Sequence, residues 1–212
     1  MSAKSERIPR ATIHRLATYV QVLEAMFRTG VTVISSRPLA EACDVNASQV
    51  RSDLAYFGKF GVRGVGYDVQ ALIAAIRNSL GVDREWCAGI VGIGNLGRAL
   101  LHYNEFRHRG FNIVRAFDND ASKLGQQVYG LEVLSTERIK DEVQTSGIEL
   151  GILTTPPEHA QAAAALLAEA GVRGILNFAP TRITVPSSIF VEYVDFFHYL
   201  YTLAFNAANC RL

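Results

Sequence analysis

Residues 86–118 read WCAGIVGIGNLGRALLHYNEFRHRGFNIVRAFD. An apolar run enters Gly92-Ile93-Gly94-Asn95-Leu96-Gly97, a helix-period segment follows, and a second strand-like run ends in Asp118. Each part has a physical task in holding a dinucleotide. Gly92 permits the tight turn out of the strand, Gly94 a close approach of pyrophosphate to the backbone, and Gly97 the packing of the new helix on the sheet. The helix N-terminus offers free N–H groups and the positive end of its dipole to the phosphates. Asp118 lies 21 residues after Gly97, near the spacing of a carboxylate that binds a ribose 2′-OH. Such a carboxylate repels a 2′-phosphate, which favours NAD(H) over NADP(H). The alternative for Asp118 is a solvated carboxylate at a strand end.

The rest of the chain places this motif in a larger design. Its 212 residues are 49% apolar, the composition of an ordinary globular protein of one or two domains. No stretch approaches the roughly 20 apolar residues that span a bilayer. The start, MSAKSERIPR, has no apolar signal core, so the cytoplasm is the expected compartment. Cys43, Cys87 and Cys210 are too scattered for a disulfide framework or a zinc site and read as buried thiols. Net charge is +1, but unevenly spread: residues 1–84 hold eleven Lys and Arg against seven Asp and Glu. A basic N-terminal part on an acidic remainder suits a polyanion-binding module.

That N-terminal part has the periodicity of a helix-turn-helix. Ile13, Leu16, Val20, Leu23 and Phe27 mark one amphipathic helix over 11–29, closed by Gly30. Ser35 or Ser36 caps a short second helix, about Pro38–Cys43, with Pro38 in its first turn. Asp44-Val45-Asn46 makes a tight turn. Asn46 caps a third helix, ASQVRSDLAYFG, with Gln49 at the reciprocal capping position. Val50, Leu54 and Phe57 share its core face. Ser48, Arg51, Ser52 and Ala55 point the other way, with Gln49 and Tyr56 at the edges. That outward face is small, hydrogen-bonding and carries one cation, which suits entry into a major groove. The alternative is a plain solvated face. GKFGVRGVGYD (58–68) then reads as a β-hairpin wing whose Lys59 and Arg63 meet phosphates or a minor groove. Residues 69–80 form a closing helix, and 81–85 a linker.

From residue 85 strands and helices alternate. Strand-like runs are Ala88–Gly92, Phe111–Asp118, Leu131–Leu134, Ile148–Thr155 and Gly174–Phe178, with a clear helix over 159–171. This alternation predicts an α/β fold, a doubly wound parallel sheet covered on both faces. The loops at Thr154–Pro157 and Asn177–Pro180 sit at strand carboxyl ends, where such sheets bind ligands. Backbone groups, Asn177 and the Phe178 ring are candidates for the nicotinamide end. The last segment, VDFFHYLYTLAFNAANCRL, starts with Asp195 as a helix cap and is apolar almost all round. A helix of that kind is buried on more than one side. This predicts a homodimer with the helix packed on or swapped into the partner; the alternative is burial within its own chain. The expected domains are therefore 1–84, 85–190 and 191–212.

Five stretches together resemble the bacterial Rex family of redox-sensing transcriptional repressors: IPRATIHRLATY (8–19), QVRSDLAYFGKFGVRGVGY (49–67), IVGIGNLGRAL (90–100), GILNFAP (174–180) and VDF (194–196). The resemblance implies a winged-helix domain, a Rossmann domain and a domain-swapped C-terminal helix in a homodimer. It implies binding to an inverted repeat of operator DNA while NAD⁺ dominates, and release when NADH rises. It places pyrophosphate on Gly92, Ile93, Gly94, Asn95, Leu96 and Gly97, and adenosine ribose on Asp118. Thr155, Pro156, Asn177, Phe178, Ala179 and Pro180 would flank the nicotinamide, and Tyr103 and Asp195 would couple its state to the dimer. DNA contacts would come from Arg10, Arg15, Ser48, Gln49, Arg51, Ser52, Tyr56, Lys59 and Arg63. Two positions depart from the family pattern: Ser52 replaces a lysine common there, and Gln21 an arginine found in some members.

A small NAD-dependent oxidoreductase is the main rival. It needs a substrate site and a proton donor beside the nicotinamide. After the last expected strand only about 30 residues remain, mostly the apolar helix, and no Tyr is followed four residues later by Lys. None of the five histidines sits in a recognisable acid/base pairing. A nucleotide- or CoA-binding module without DNA contact would leave the helix-turn-helix without a task. Neither an enzyme nor a metal site is expected.

Overall fold

In the computed structural model the described residues are 8–58, 60–61, 65–103 and 105–209. The chain divides into two compact units, residues 1–84 and 85–212.

The first unit is built on α1 (Arg10–Arg28), β1 (Val33–Ile34), α2 (Ser36–Ala42), α3 (Ala47–Ala55), β2 (Tyr67–Asp68) and α4 (Val69–Ser79). Leu16, Tyr19, Val20 and Leu23 of α1 form a common core with Leu39, Val50, Leu54, Val69, Leu72 and Ile76. Ile13 and Phe27, expected on that buried stripe, are 44% and 40% exposed; Thr12 and Tyr19 turn inward in their place. Helix α2 starts two residues before the expected Pro38. Asp44 adopts a left-handed φ of 52° in the turn, a conformation its short polar side chain tolerates. The Asn46 side chain then accepts the N–H of Gln49 at 2.7 Å and starts α3. The Asp68 carboxylate does the same for α4 at Ala71.

The end of the expected wing pairs with a segment outside it, and residues 59 and 62–64 of the wing lie outside the described residues. Strand β2 is antiparallel to β1, with Ile34 opposite Tyr67 and Val33 opposite Asp68. The run VTVI thus supplies the partner strand, while the described residues of 58–61 lie in no strand. Lys59 and Arg63 lie outside the described residues, as does Cys210.

The second unit is a seven-stranded sheet. Its strands are β3 (Trp86–Val91), β4 (Phe111–Asp118), β5 (Gln127–Val128), β6 (Leu131–Ser135), β7 (Leu150–Leu153), β8 (Gly174–Asn177) and β9 (Phe190–Tyr193), in the order β5-β6-β4-β3-β7-β8-β9. All neighbours are parallel except β5 and β6. Without β5 the order is third, second, first, fourth, fifth, sixth, the doubly wound Rossmann arrangement. Two strands escape the sequence reading: β5, two residues long, and β9, which places residues 190–193 in the sheet rather than with the terminal helix. The expected boundary after residue 190 cuts that strand.

Alternation within the strands feeds two cores. Val91, Phe117, Leu153 and Ile175 face α7 (Ile139–Thr145) and α8 (Pro157–Ala170). Ile90, Ala116 and Ile152 lie on the other face with Leu100 and Leu101 of α5 (Asn95–His102). A short α6 (Glu105–His108) precedes β4. Helix α9 (Phe196–Asn209) has no buried residue. Phe196, Phe197, Tyr199, Leu200, Tyr201, Leu203 and Phe205 are each more than half exposed, so burial of this helix within its own chain is ruled out. Among the described residues no helix is long and apolar enough to cross a membrane.

Candidate functional site

The turn between β3 and α5 is shaped by three glycines in different ways. Gly92 has φ of +99°, and a Cβ there would meet the Thr154 backbone at 2.9 Å. A Cβ on Gly97 would collide with the Gly92 carbonyl oxygen. A Cβ on Gly94 would meet nothing within 4 Å. Two glycines are therefore required by the fold, and the third leaves open a space that the fold does not use. Gly94 is also the N-cap of α5, so the free N–H groups of that helix start beside the open space.

The carboxylate of Asp118 closes the motif. It is 4% exposed, which excludes the solvated strand-end alternative. One oxygen accepts the Ile93 N–H at 2.7 Å and the Lys123 ammonium at 2.9 Å; the other accepts the Asp120 N–H at 2.9 Å. Burial pushes its pKa up, but the Asp120 N–H, Lys123 and the Ile93 N–H outweigh that and hold it below the usual carboxylate value. Lys123 escaped the sequence reading. Its signal is a cation five residues past the strand end, on the turn that folds back over the carboxylate.

Gly92, Gly94, Asp118, Lys123, Thr155 and Pro156 line one cleft of about 420 Å³, with His159 of α8. The Thr155 hydroxyl is buried in it with no hydrogen-bond partner. A buried hydroxyl without a partner is costly unless a ligand or water completes it. Open space at Gly94, a helix N-terminus, an orphaned hydroxyl and a buried carboxylate form a donor and acceptor set that fits a dinucleotide diphosphate and its ribose.

The Asn177 loop belongs to a second cleft, of about 670 Å³, with Leu96, Phe178, Ala179, Pro180, Asp195 and Tyr201 among its lining residues. Thr155 and Pro156 thus line the cleft of Asp118 rather than that of Phe178. Asn177 itself is fully buried. Its amide donates to the Thr181 carbonyl at 2.9 Å and accepts the Ala179 N–H at 2.9 Å. It shapes the loop, and its side chain is not offered to a ligand as expected. Asp195 accepts the Phe197 N–H at 2.9 Å and starts α9. Tyr103 stacks edge-on against Phe106, 5.9 Å between centroids, in a hollow shared with Arg107 and Tyr129. Within one chain Tyr103 and Asp195 line separate hollows.

On α3, Ser48, Arg51, Ser52 and Tyr56 are exposed on one side of the helix. Arg51 donates to the Ser36 hydroxyl at 3.0 Å, and Ser48 to the Asn46 side chain. Gln49 is half-buried. Its amide nitrogen donates to Asp53 at 3.0 Å, so its side chain does not complete the expected reciprocal cap. Asp53, absent from the sequence reading, is 1% exposed. It also takes Arg15 through two nitrogens, at 2.7 and 2.8 Å, and the Tyr19 hydroxyl at 2.8 Å. Arg15, expected on DNA, is a structural cation that ties α1 to α3. The signal was available: Thr12, Arg15 and Tyr19 share one stripe of α1, and Asp53 interrupts the apolar side of α3. Arg10 precedes this network at the first position of α1. Cys43 and Cys87 are free and half-buried rather than buried, and burial pushes the Cys43 thiol pKa up.

A helix-turn-helix unit and a Rossmann unit on one chain define the class: a DNA-binding regulator with a nucleotide-binding domain. Comparison with known proteins agrees unit by unit. A family model described as the N-terminus of a DNA-binding protein matches residues 7–55, and one described as a CoA binding domain matches 83–181. The redox-sensing transcriptional repressor Rex of Solidesulfovibrio magneticus is 59% identical over 203 residues, 96% of this chain and 92% of its own. The chain belongs to the Rex family of transcriptional repressors, and the family is not one of enzymes. Among solved structures, RSP in complex with β-NAD⁺ and operator DNA has a TM-score of 0.89 at 36% identity, covering 94% of this chain and 92% of that one. RSP in complex with β-NADH has a TM-score of 0.88 at 34% identity, covering 96% and 95%.

Proposed function

We infer that this protein is a DNA-binding repressor that senses the NADH/NAD⁺ ratio, holding an inverted-repeat operator while NAD⁺ dominates and releasing it as NADH rises. The observation that carries the reading is one chain with both an exposed Ser/Arg/Tyr helix face on α3 and a glycine cleft left open at Gly94. It is supported by RSP, similar over nearly its whole length, which has been crystallised with β-NAD⁺ and operator DNA and with β-NADH. The reading places the protein in the cytoplasm, where both ligands meet.

The residues divide the work. Gly92, Ile93, Gly94, Asn95, Leu96 and Gly97 cradle the pyrophosphate with backbone N–H groups, and the Thr155 hydroxyl and Pro156 close that cleft. Asp118 accepts from the adenosine ribose through the oxygen that also takes the Asp120 N–H, away from Lys123 and Ile93. The backbone around Asn177, the Phe178 ring, Ala179 and Pro180 hold the nicotinamide end beside Asp195. Ser48, Gln49, Arg51, Ser52 and Tyr56 face DNA, with Arg10, Lys59 and Arg63 on phosphates. Arg15 is not among the contacts, because Asp53 occupies it.

The nicotinamide supplies a difference of one hydride and one positive charge between its two states. Residues lining the Phe178–Asp195 cleft convert that difference into a preference for one arrangement of a homodimer joined through α9 and Tyr103. Two recognition helices meet successive major grooves only at a fixed spacing, about 34 Å. The switch cannot exceed the differential affinity of the ligand for the two arrangements. A hundredfold change in DNA affinity requires about 2.7 kcal/mol.

The deciding experiment is fluorescence anisotropy of an inverted-repeat operator duplex with the pure protein, titrated with NADH and separately with NAD⁺. NADH abolishes binding and NAD⁺ leaves it intact. Absence of DNA binding in every condition, with dinucleotide binding retained, would overturn the ligand-switched operator reading.

A further inference from the structure

The polar network between α1 and α3 has a consequence for what α3 can read. Asp53 collects side-chain donors from Arg15, Tyr19 and Thr12 of α1, the last at 3.2 Å, and from Gln49 of its own helix. Its two-nitrogen ion pair with Arg15 keeps the carboxyl ionised, since the guanidinium does not lose its proton. An ionised carboxylate only accepts. The atom of Gln49 that faces it must therefore be the amide nitrogen, which settles the orientation of an otherwise ambiguous side chain. The Gln49 oxygen has no other partner among the described residues. Gln49 stands in the first turn of α3, beside exposed Ser48 and Ser52. In a helix-turn-helix the N-terminal turns of the second helix meet the base edges.

We propose that Asp53 sets the base preference of α3: by holding the Gln49 nitrogen inward it presents the Gln49 oxygen outward, so that this position reads an exocyclic amino group, that of adenine or cytosine, in each half-site. The proposal rests on the operator-binding reading above. In the major groove adenine and cytosine offer an amino donor where guanine and thymine offer an oxygen acceptor. A free glutamine can turn either end outward and satisfy both. A glutamine anchored through one N–H keeps a single N–H, at the anchored end of the amide, to meet guanine or thymine, whereas its oxygen is wholly available to an amino group. Asp53 touches no DNA in this account; it is a positioning residue.

The test is a base-preference profile. The full-length protein with NAD⁺ selects duplexes from a pool randomised across both half-sites, and per-position preferences are then measured by anisotropy. The wild type disfavours guanine and thymine by about tenfold at one position per half-site. Gln49→Ala flattens that position alone. Asp53→Asn, which offers Gln49 both a donor and an acceptor, lowers the preference there to about threefold or less and leaves other positions unchanged. A merely structural Asp53 would instead weaken all sequences alike, and that result overturns the proposal. So does a Gln49→Ala profile identical to wild type.

Should Asp53→Asn fail to fold, the wild type carries the test without it. Replacing the selected adenine or cytosine by the analogue lacking only its amino group costs wild type about tenfold and Gln49→Ala nothing. In ¹⁵N-labelled wild type one of the two Gln49 amide protons stays hydrogen-bonded and slow to exchange in the complex; rapid exchange of both refutes the Asp53 anchor. Wild-type protein that selects no duplex at all fails the repressor reading itself, whereas selection without an amino-dependent position fails only this proposal.

Discussion

The backbone N–H of Ile93 donates to the buried carboxylate of Asp118 at 2.7 Å, so the end of the second Rossmann strand is tied to the middle of the glycine turn. One group thereby serves both the shape of the turn and the ligand that the turn admits. The buried carboxylate is held in place by the same hydrogen bond that holds the glycine turn.

Asp118→Ala is expected to weaken NADH binding about tenfold to a hundredfold, since a buried acceptor with charged and neutral donors is lost. NADPH, repelled by the carboxylate in the wild type, should lose little or gain. Calorimetric titration with both nucleotides checks this, and an unchanged ratio removes Asp118 from the ribose site.

Gly94 and Gly97 should separate binding from folding. Ala at 97 drives a methyl group into the Gly92 carbonyl and is expected to cost about 1–3 kcal/mol of stability. Ala at 94 meets open space at φ −86°, so the melting temperature stays near wild type while NADH affinity falls. Thermal melts alongside NADH titrations read the two effects. Equal loss of stability in both variants would contradict the open cradle.

Acid should weaken both units through depressed carboxylates. For Asp53, burial pushes the pKa up, but hydrogen bonds from Arg15, Tyr19 and Gln49 outweigh it and leave the pKa lowered; Asp118 is lowered as well. A depressed folded pKa contributes stability that is fully present above the unfolded value of about 3.9 and disappears as pH falls through the folded value. Urea midpoints should therefore be steady from pH 7 to about 5 and fall below about 4. Asp53→Asn should be less stable at pH 7 and show a shallower acid limb.

Arg51→Ala removes the one cation from the exposed side of α3 and a 3.0 Å bond to Ser36. Operator affinity should fall about tenfold, with NADH affinity unchanged. Anisotropy and calorimetry on the same preparation test it; undisturbed DNA binding would remove α3 as the recognition helix.

Helix α9 exposes seven large apolar side chains with no cover from its own chain. A patch of that kind marks an interface. Deleting residues 195–212 should convert a dimer to monomer in sedimentation equilibrium. A stable dimer after deletion would place the interface elsewhere.

The parts legible in the sequence are those governed by local chemistry. Gly92 and Gly97 announced the turn because only glycine meets its steric demands, and Gly94 between them marked the open space. Asn46 and Asp195 announced helix starts because their short side chains reach the next free N–H groups. Strand β4 was legible to the residue, Phe111–Asp118, since a long apolar run ending at an acid has few other readings. Strand β9 was not: Phe190–Tyr193 alternates weakly and becomes a strand only because β8 offers its edge. The pairing of Tyr67 with Ile34 was not legible for a similar reason, since it joins segments more than thirty residues apart.

The sequence by itself therefore determined the order of elements, the doubly wound class, the glycine cleft with Asp118 and the exposed side of α3. Local sterics, capping and hydrophobic period act within a few residues and leave their mark in the chain. The tertiary structure alone decided which polar side chains are free. Arg15 and Gln49 look like surface residues in the sequence, and Asn177 like a ligand contact. Folding delivers Arg15 and Gln49 to a buried Asp53 and Asn177 to its own loop, because a buried charge or amide must find partners. Those partners lie at separations that no local pattern encodes.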